Sequence, residues 1–342
     1  MKTLVTGGNG FIGSHLVKAL LAQGREVIIA SERSPLNSKN LLNLDIKTSD
    51  IEFRKADLTN YEQTLDAIKG ADIVFHLAAT VGNLEYLHLA EMAELSALQN
   101  NLTIDANVFK ACQVLKVGKI VYASSCAVYP MHRQFTTGVS FHESSLELIK
   151  SDYLKANSFK KEPSIIDPDG GYGWSKLLGE IQLCWMKGCD VGLARIFNIY
   201  GTNEPLGRKA HVIGDLISKV IMNTDGDMVV QGNGKQTRDF LHVSDCVNAL
   251  LKLEDAATNP PIIINIGSGQ AVEIGFLAKK VVDISGKNIR IIFDPLKPCG
   301  PVSRTADIEK AVRQLKWRPA VDLTKGLIMT YEWINKSKSD QQ

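Results

Sequence analysis

The segment Thr6-Gly7-Gly8-Asn9-Gly10-Phe11-Ile12-Gly13 constrains this chain more than any other. A short apolar run, Leu4–Thr6, precedes it, and an amphipathic pattern, Ile12–Ala22, comes after it. Gly7, Gly10 and Gly13 stand three apart. The spacing predicts a strand that turns sharply at the first glycine and lets main chain approach a pyrophosphate at the second. The third glycine lets the helix pack closely on the strand. The helix start then offers free N–H groups and the positive end of its dipole to an anion.

Residues beyond Ala22 repeat the strand–helix alternation. Apolar runs at Val27–Ala30, Ile51–Arg54, Ile73–Leu77 and Lys119–Ala123 are separated by helical patterns at Tyr61–Ile68 and Ile104–Leu115. This rhythm predicts βαβ units and an α/β fold, a Rossmann-type doubly wound parallel sheet. A helix near Gly173–Lys187 and a strand at Val191–Phe197 continue it. After Tyr200 the alternation weakens, with a helix near Ala210–Met222, short strands near Met228–Gln231 and Ile262–Ile266, and helices near Gly275–Ser285 and Leu323–Asn335. We expect a smaller C-terminal α/β substrate-binding lobe from 199–238 and 267–335. The first domain takes 1–198 and recovers the chain over about 239–266, through a helix near Asp245–Leu253. The tail, 336–342, is expected to fray. Residues 131–171 are too long for an ordinary connection, and either form a functional loop or decorate the surface.

Composition narrows the class of partner. The 342 residues carry 39 Lys+Arg against 37 Asp+Glu. This balance gives no reason to expect a nucleic acid or an anionic membrane. No apolar run approaches the roughly 20 residues needed to span a bilayer. The amino terminus enters a strand without a signal-peptide core, so a cytoplasmic protein is expected. The six cysteines lack C-x-x-C pairing or zinc-ligand spacing, so no metal is expected.

Several residues carry chemistry in this frame. Glu32 ends the second strand, where a carboxylate accepts from a ribose and repels a 2′-phosphate; this favours NAD. Asp57 and Leu58 come just after the third strand, placed to meet the adenine. Tyr172 and Lys176 stand four apart on one helix face. A nearby ammonium lowers a phenol from its usual value near ~10, making the tyrosine a usable base. Ser125 ends the strand Lys119–Ala123, on the edge where open α/β sheets bind ligands.

Together these motifs resemble the extended short-chain dehydrogenase/reductases of the nucleotide-sugar epimerase/dehydratase type. Phe75-His76-Leu77-Ala78-Ala79, Asn100-Asn101, Arg195 to Gly201 and Thr237-Arg238-Asp239-Phe240 fall in family order. The resemblance implies Ser125, Tyr172 and Lys176 as catalytic residues. It places Gly7, Gly10, Phe11, Ile12, Gly13, Glu32, Asp57, Leu58, Leu77, Ala78, Ala79, Asn101, Tyr172 and Lys176 at NAD. It implies Asn198, Arg238 and Arg304 at a nucleotide-diphosphate sugar, and a homodimer paired through Ile104–Leu115 and Leu177–Met186.

The reaction turns on the residues after Ser125. Dehydratases and the glucuronate decarboxylase of this family carry an acid two positions before Tyr129, where this chain has Ala127. A 3,5-epimerase of the GDP-mannose type carries a cysteine there and a lysine that Lys209 matches. Cys126 is one position away, and in strand-like parity it would face elsewhere. It is either a small buried filler or a proton-transfer group. The pattern favours 4-epimerisation of an NDP-hexose, with a 3,5-epimerase, an NDP-sugar dehydrogenase or dehydratase, and a non-enzymatic NAD sensor as alternatives.

Overall fold

The computed structural model describes residues 1–83, 85–89, 91–146, 166–223 and 226–339. The chain opens with β1 (Lys2–Thr6), α1 (Phe11–Ala22), β2 (Glu26–Ser31), a short α2 (Lys39–Leu42), β3 (Glu52–Lys55), α3 (Tyr61–Ile68) and β4 (Ile73–His76). Then come α4 (Ala93–Val114), β5 (Lys119–Ser125), β6 (Ser140–Phe141), α5 (Gly170–Trp185) and β7 (Asp190–Ile196). The second half has β8 (Asn198–Tyr200), α6 (Val212–Met222), β9 (Gly226–Gln231), β10 (Thr237–Arg238), β11 (Phe240–His242), α7 (Val243–Asp255) and β12 (Ile262–Ile266). It closes with β13 (Val272–Glu273), α8 (Ile274–Ser285), β14 (Ile289–Asp294), β15 (Ser303–Ala306), α9 (Glu309–Leu315) and α10 (Leu323–Ser339).

Seven strands form one parallel sheet in the order β12-β7-β5-β4-β1-β2-β3. The expected doubly wound α/β fold is present. Leu4, Val5, Val74, Phe75, Ile120 and Val121 are buried, so the central strands read as apolar runs. One core, with Val5, Leu16, Val17, Leu20 and Phe75, lies under α1 and α7. The other, with Leu4, Val74, Phe109, Cys112 and Tyr122, lies under α3, α4 and α5. The order reverses at β1, flanked by β2 and β4, and the carboxyl ends of these strands open the crevice where such sheets bind ligands.

The smaller lobe has a core of its own around Ile213, Leu216, Val230, Leu277, Val281 and Leu327. Its four-stranded sheet, β13-β10-β15-β6, recruits β6 from the long segment after Ser125. Ser140 and Phe141 are therefore built into the lobe's sheet, with Phe141 fully buried beside Tyr129, Leu177 and Phe197; residues 147–165 of the expected loop lie outside the described residues, and Gly170 and Gly171 at its end already belong to α5. Two boundaries differ from the sequence reading. Ala311, Leu315 and Trp317 pack in the core beneath the large sheet, although 267–335 reads as smaller lobe. Helix α10 continues through Ser339 instead of fraying at Lys336.

Glu204 is buried where the loop after β8 meets α6. Its Oε2 accepts the Gly201 N–H at 3.1 Å. Burial pushes this carboxyl up from 4.5 to about 8, against the hydrogen bond from Gly201. The fold thus favours the protonated form. That contribution is full below the unfolded value and is lost as pH rises through the folded one. Glu204→Gln is expected to flatten the fall of stability between about pH 5 and pH 8, where each unit costs the wild type up to about 1.4 kcal/mol. Thermal melts across that range check it, and an unchanged slope contradicts it.

Candidate active site

The glycine turn adopts the expected geometry. Gly7 has φ of +69°, and a Cβ there would stand 3.1 Å from the Ala78 backbone. The Gly10 N–H closes the turn on the Gly7 carbonyl at 2.8 Å. A Cβ on Gly13 would overlap that same carbonyl oxygen. Gly10, which caps α1, has no side chain to cover the first-turn N–H groups. Thr6 Oγ1 accepts N–H groups from Leu77 and Ala78 at 3.1 Å each, which fixes β1 to the end of β4. This bare, close-packed turn fits a pyrophosphate. Gly13→Ala is expected to displace α1 and lower cofactor affinity at least about tenfold; cofactor content after purification and a binding titration report it.

Around this cradle the other expected cofactor residues divide. Phe11 and Ile12 start α1, packed against the core below it. Glu32 is exposed just past β2, and Asn9 ties the turn to this strand end through the Arg33 carbonyl at 2.7 Å. The Asp57 carboxylate accepts from Thr59 N–H and Oγ1 at 2.9 and 2.7 Å, which holds it below its usual range. Leu58 is a core residue whose carbonyl takes the Asn107 amide at 2.9 Å. Asn101 is fully buried, its amide spent on Thr80 N–H and C=O at 2.6 and 3.1 Å and on Ser175 Oγ at 3.2 Å. It pins the β4 exit loop to the helix that carries Tyr172 and Lys176.

That helix, α5, lies against α4. Its glycines allow the approach: a Cβ on Gly171 would overlap the Glu94 carbonyl, and one on Gly173 would stand 2.5 Å from the Ala127 carbonyl. Both helices begin earlier than their patterns predict. In the first half of α4 the buried contacts are made by Ala97 and Asn101, so little apolar periodicity marks it.

Ser125, Tyr172 and Lys176 come together as expected. The Ser125 hydroxyl accepts the Ala127 N–H at 3.1 Å, and the turn it opens meets the start of α5, where the Asp169 N–H donates to the Ala127 carbonyl at 2.8 Å. Lys176 Nζ lies 5.9 Å from the Tyr172 ring centroid and 4.8 Å from that of Tyr122. Tyr122 donates to Asp105 at 2.6 Å, and Asp105 also meets His76 at 2.9 Å. His76 in turn contacts Thr6 Oγ1 at 2.7 Å. A buried polar chain therefore runs from the end of β1 to Tyr122, over which Lys176 lies, and no local motif announces it.

The electrostatics correct one expectation. Burial pushes the Tyr172 phenol up, the opposite of the lowering expected for it, with Ser125 opposing. Burial also pulls the Lys176 ammonium down, against the charges of Asp105 and Glu180.

Cys126 needs a second correction. It opens a 3₁₀ turn, Cys126–Val128, so strand parity does not apply. Its Sγ lies 3.9 Å from Arg304 Nη1. Burial pushes the thiol up and Arg304 opposes.

Of the expected substrate residues, Asn198 donates to the Asp239 carbonyl at 2.9 Å. Lys209 sits with Nζ 4.5 Å from the Tyr86 ring centroid, against the turn Glu85–Leu89. Arg238 and Arg304 lie side by side on paired β10 and β15. Arg238 donates to the Thr237, Pro301 and Cys299 carbonyls at 2.8, 2.7 and 3.0 Å. Arg304 reaches Gln134 Oε1 and Asp169 Oδ2, each at 2.5 Å. Sequence reasoning missed Gln134 and Asp169, which lie 170 and 135 residues from their partner. Among the described residues no helix is long and apolar enough to cross a membrane, and no group of His, Cys, Asp or Glu is arranged to hold a metal ion.

A glycine cradle at the reversal of a parallel sheet, with Ser125, Tyr172 and Lys176 beside it, defines a dinucleotide-dependent enzyme of the Rossmann type. The chain belongs to the NAD dependent epimerase/dehydratase family, whose pattern matches residues 3–267. Its cofactor is NAD. It is 30% identical to GDP-mannose 3,5-epimerase of Arabidopsis thaliana, over 98% of this chain and 82% of that protein. It is 28% identical to UDP-N-acetyl-alpha-D-glucosaminuronate decarboxylase of Bacillus cytotoxicus, over 99% of each. UDP-glucuronic acid 4-epimerase of Bacillus cereus, solved with UDP-glucuronic acid and NAD, superposes with a TM-score of 0.80 at 26% identity, covering 98% of this chain and 100% of that one. Relatives thus share the cofactor-dependent family and differ in reaction.

Proposed function

We propose that this protein is an NAD-dependent nucleotide-sugar epimerase that inverts carbon 4 of an NDP-hexose through a transient 4-keto sugar. The observation that carries this reading is that the turn opened by Ser125 packs on the start of the helix of Tyr172, with the Asp169 N–H on the Ala127 carbonyl at 2.8 Å and Lys176 one helical turn behind the tyrosine. In this reading Ser125 holds the sugar 4-oxygen and Tyr172 exchanges its proton. Lys176, anchored over Tyr122, orients the cofactor ribose and supplies positive charge beside the phenol. Bound NAD supplies the reversible two-electron acceptor that the chemistry requires. The flat keto sugar turns about its diphosphate link and presents its other face. Arg238 and Arg304, through bidentate guanidinium chemistry, hold the diphosphate. Ala127 leaves the turn after Ser125 without the acid that elimination needs.

A specific observation favours a second reading. The Cys126 thiol directly follows Ser125 and lies 3.9 Å from Arg304 Nη1, beside the proposed diphosphate subsite, where a proton-transfer group would stand. With the similarity to a 3,5-epimerase, this supports proton exchange at carbons 3 and 5. The homodimer belongs to the same proposal: Trp174 and Trp185 lie exposed on α5, where a partner would pack. So does a cytoplasmic setting.

Incubation with a panel of UDP- and GDP-hexoses, with proton NMR of the products, tests the proposal. Interconversion of carbon-4 epimers is expected. Loss of water or of carbon dioxide from the sugar would replace it with a dehydratase or decarboxylase.

A further inference from the structure

Asp169 sits at the start of the catalytic helix, yet its carboxylate does not cap that helix. One oxygen takes Arg304 Nη2 at 2.5 Å. The other lies 3.7 Å from His88 Nε2. His88 Nδ1 meets Glu94 Oε1 at 3.0 Å, and Glu94 Oε2 accepts the Gly171 N–H at 3.3 Å. The helix start thus draws its acceptor from α4, which leaves Asp169 to Arg304. Gly170, at φ of +56°, makes room for this packing; a Cβ there would stand 2.9 Å from both His88 Cε1 and Glu94 Oε1.

Arg304 is 8% exposed and belongs to the smaller lobe, whereas Asp169 leads into the helix of Tyr172. Beside it, the half-buried Arg238 is pushed down to about 10 by desolvation and by the charge of Arg304. Two guanidinium groups therefore crowd one another, and Asp169 already occupies one of them. An arriving anion meets a site whose countercharge is in place.

We propose that Asp169 is the resident occupant of the anion subsite: it holds Arg304 until the diphosphate of the substrate displaces it, and so sets substrate affinity. This rests on the nucleotide-sugar reading of the site. Displacement costs the Asp169–Arg304 pair, so the apparent affinity is lowered by the fraction of molecules in which that pair is closed. His88 gives the released carboxylate a partner within 3.7 Å. Because Asp169 lies three residues before Tyr172, arrival of the diphosphate is felt at the start of the catalytic helix.

Calorimetric titration of the NAD-loaded full chain with UDP and with GDP tests this. Asp169→Asn and Asp169→Ser are expected to bind the preferred nucleotide about tenfold more tightly than wild type, and Asp169→Glu to restore the weaker binding. In an Arg304→Gln background the gain is expected to vanish. Hydrogen exchange on the wild type gives a readout that needs no variant: UDP or GDP should loosen amides 168–172 at the helix start. Unchanged or weaker binding by the natively melting Asn and Ser variants overturns the proposal, as does a gain that survives Arg304→Gln. Unaltered exchange at the helix start, or no binding of either nucleotide by any variant, also overturns it. Failure of the epimerase reading looks different: nucleotides bind with the expected order, yet no sugar in the panel turns over.

Discussion

Tyr172→Phe is expected to lower kcat by about 10²–10⁴-fold while leaving nucleotide-sugar affinity within a few-fold of wild type. The substitution keeps the ring and removes the oxygen proposed to exchange the sugar proton, so it touches the chemical step and not the contacts proposed to hold the nucleotide. The loss should therefore fall on kcat rather than KM. Steady-state kinetics on the true substrate, with a melt to confirm folding, measure it. Turnover within tenfold of wild type would remove Tyr172 from the reaction.

The second large effect is on stability. Glu180→Ala is expected to cost about 3–5 kcal/mol. Glu180 and Arg195 are fully buried beneath the site. Arg195 donates from Nε and Nη2 to the carboxylate at 3.0 and 2.8 Å, and from Nη1 to Tyr129 Oη at 3.2 Å and the Glu143 carbonyl at 3.0 Å. Ser124 Oγ donates to the same carboxylate at 2.5 Å. Removing Glu180 strands a guanidinium charge in the interior. The Glu180→Leu/Arg195→Met pair removes both charges and is expected to recover most of the loss, a coupling that a double-mutant cycle in urea reads directly. A single mutant that unfolds like wild type would mean that the pair is not dry.

Features set by neighbours in sequence were legible before folding was considered. The glycine turn and the Tyr172–Lys176 pair depend on spacing within one strand–turn–helix or one helical turn, and both stand where expected. Long-range partners left no local mark. Asn101, His76, Asp105 and Tyr122 look like ordinary helix and strand residues, and their polar chain exists because β1, β4, β5 and α4 are brought together. Cys126 misled because parity along β5 was carried one residue too far; the chain leaves the strand at Ser125 and turns. The strand Ser303–Ala306 has no apolar alternation to reveal it, since it is a short run whose register comes from β10 and β6. Asp169 is spent on Arg304, 135 residues further along the chain, so no local pattern announces the pair.

In the proposed reaction the sugar is oxidised and reduced at carbon 4 without exchanging carbon-bound hydrogen with water. Turnover of the active nucleotide sugar in heavy water, read by NMR, tests this most directly. The predicted result is inversion at carbon 4 with no solvent deuterium on any ring carbon. Deuterium at carbon 3 or carbon 5 would contradict it and assign the proton exchange to the neighbourhood of Cys126.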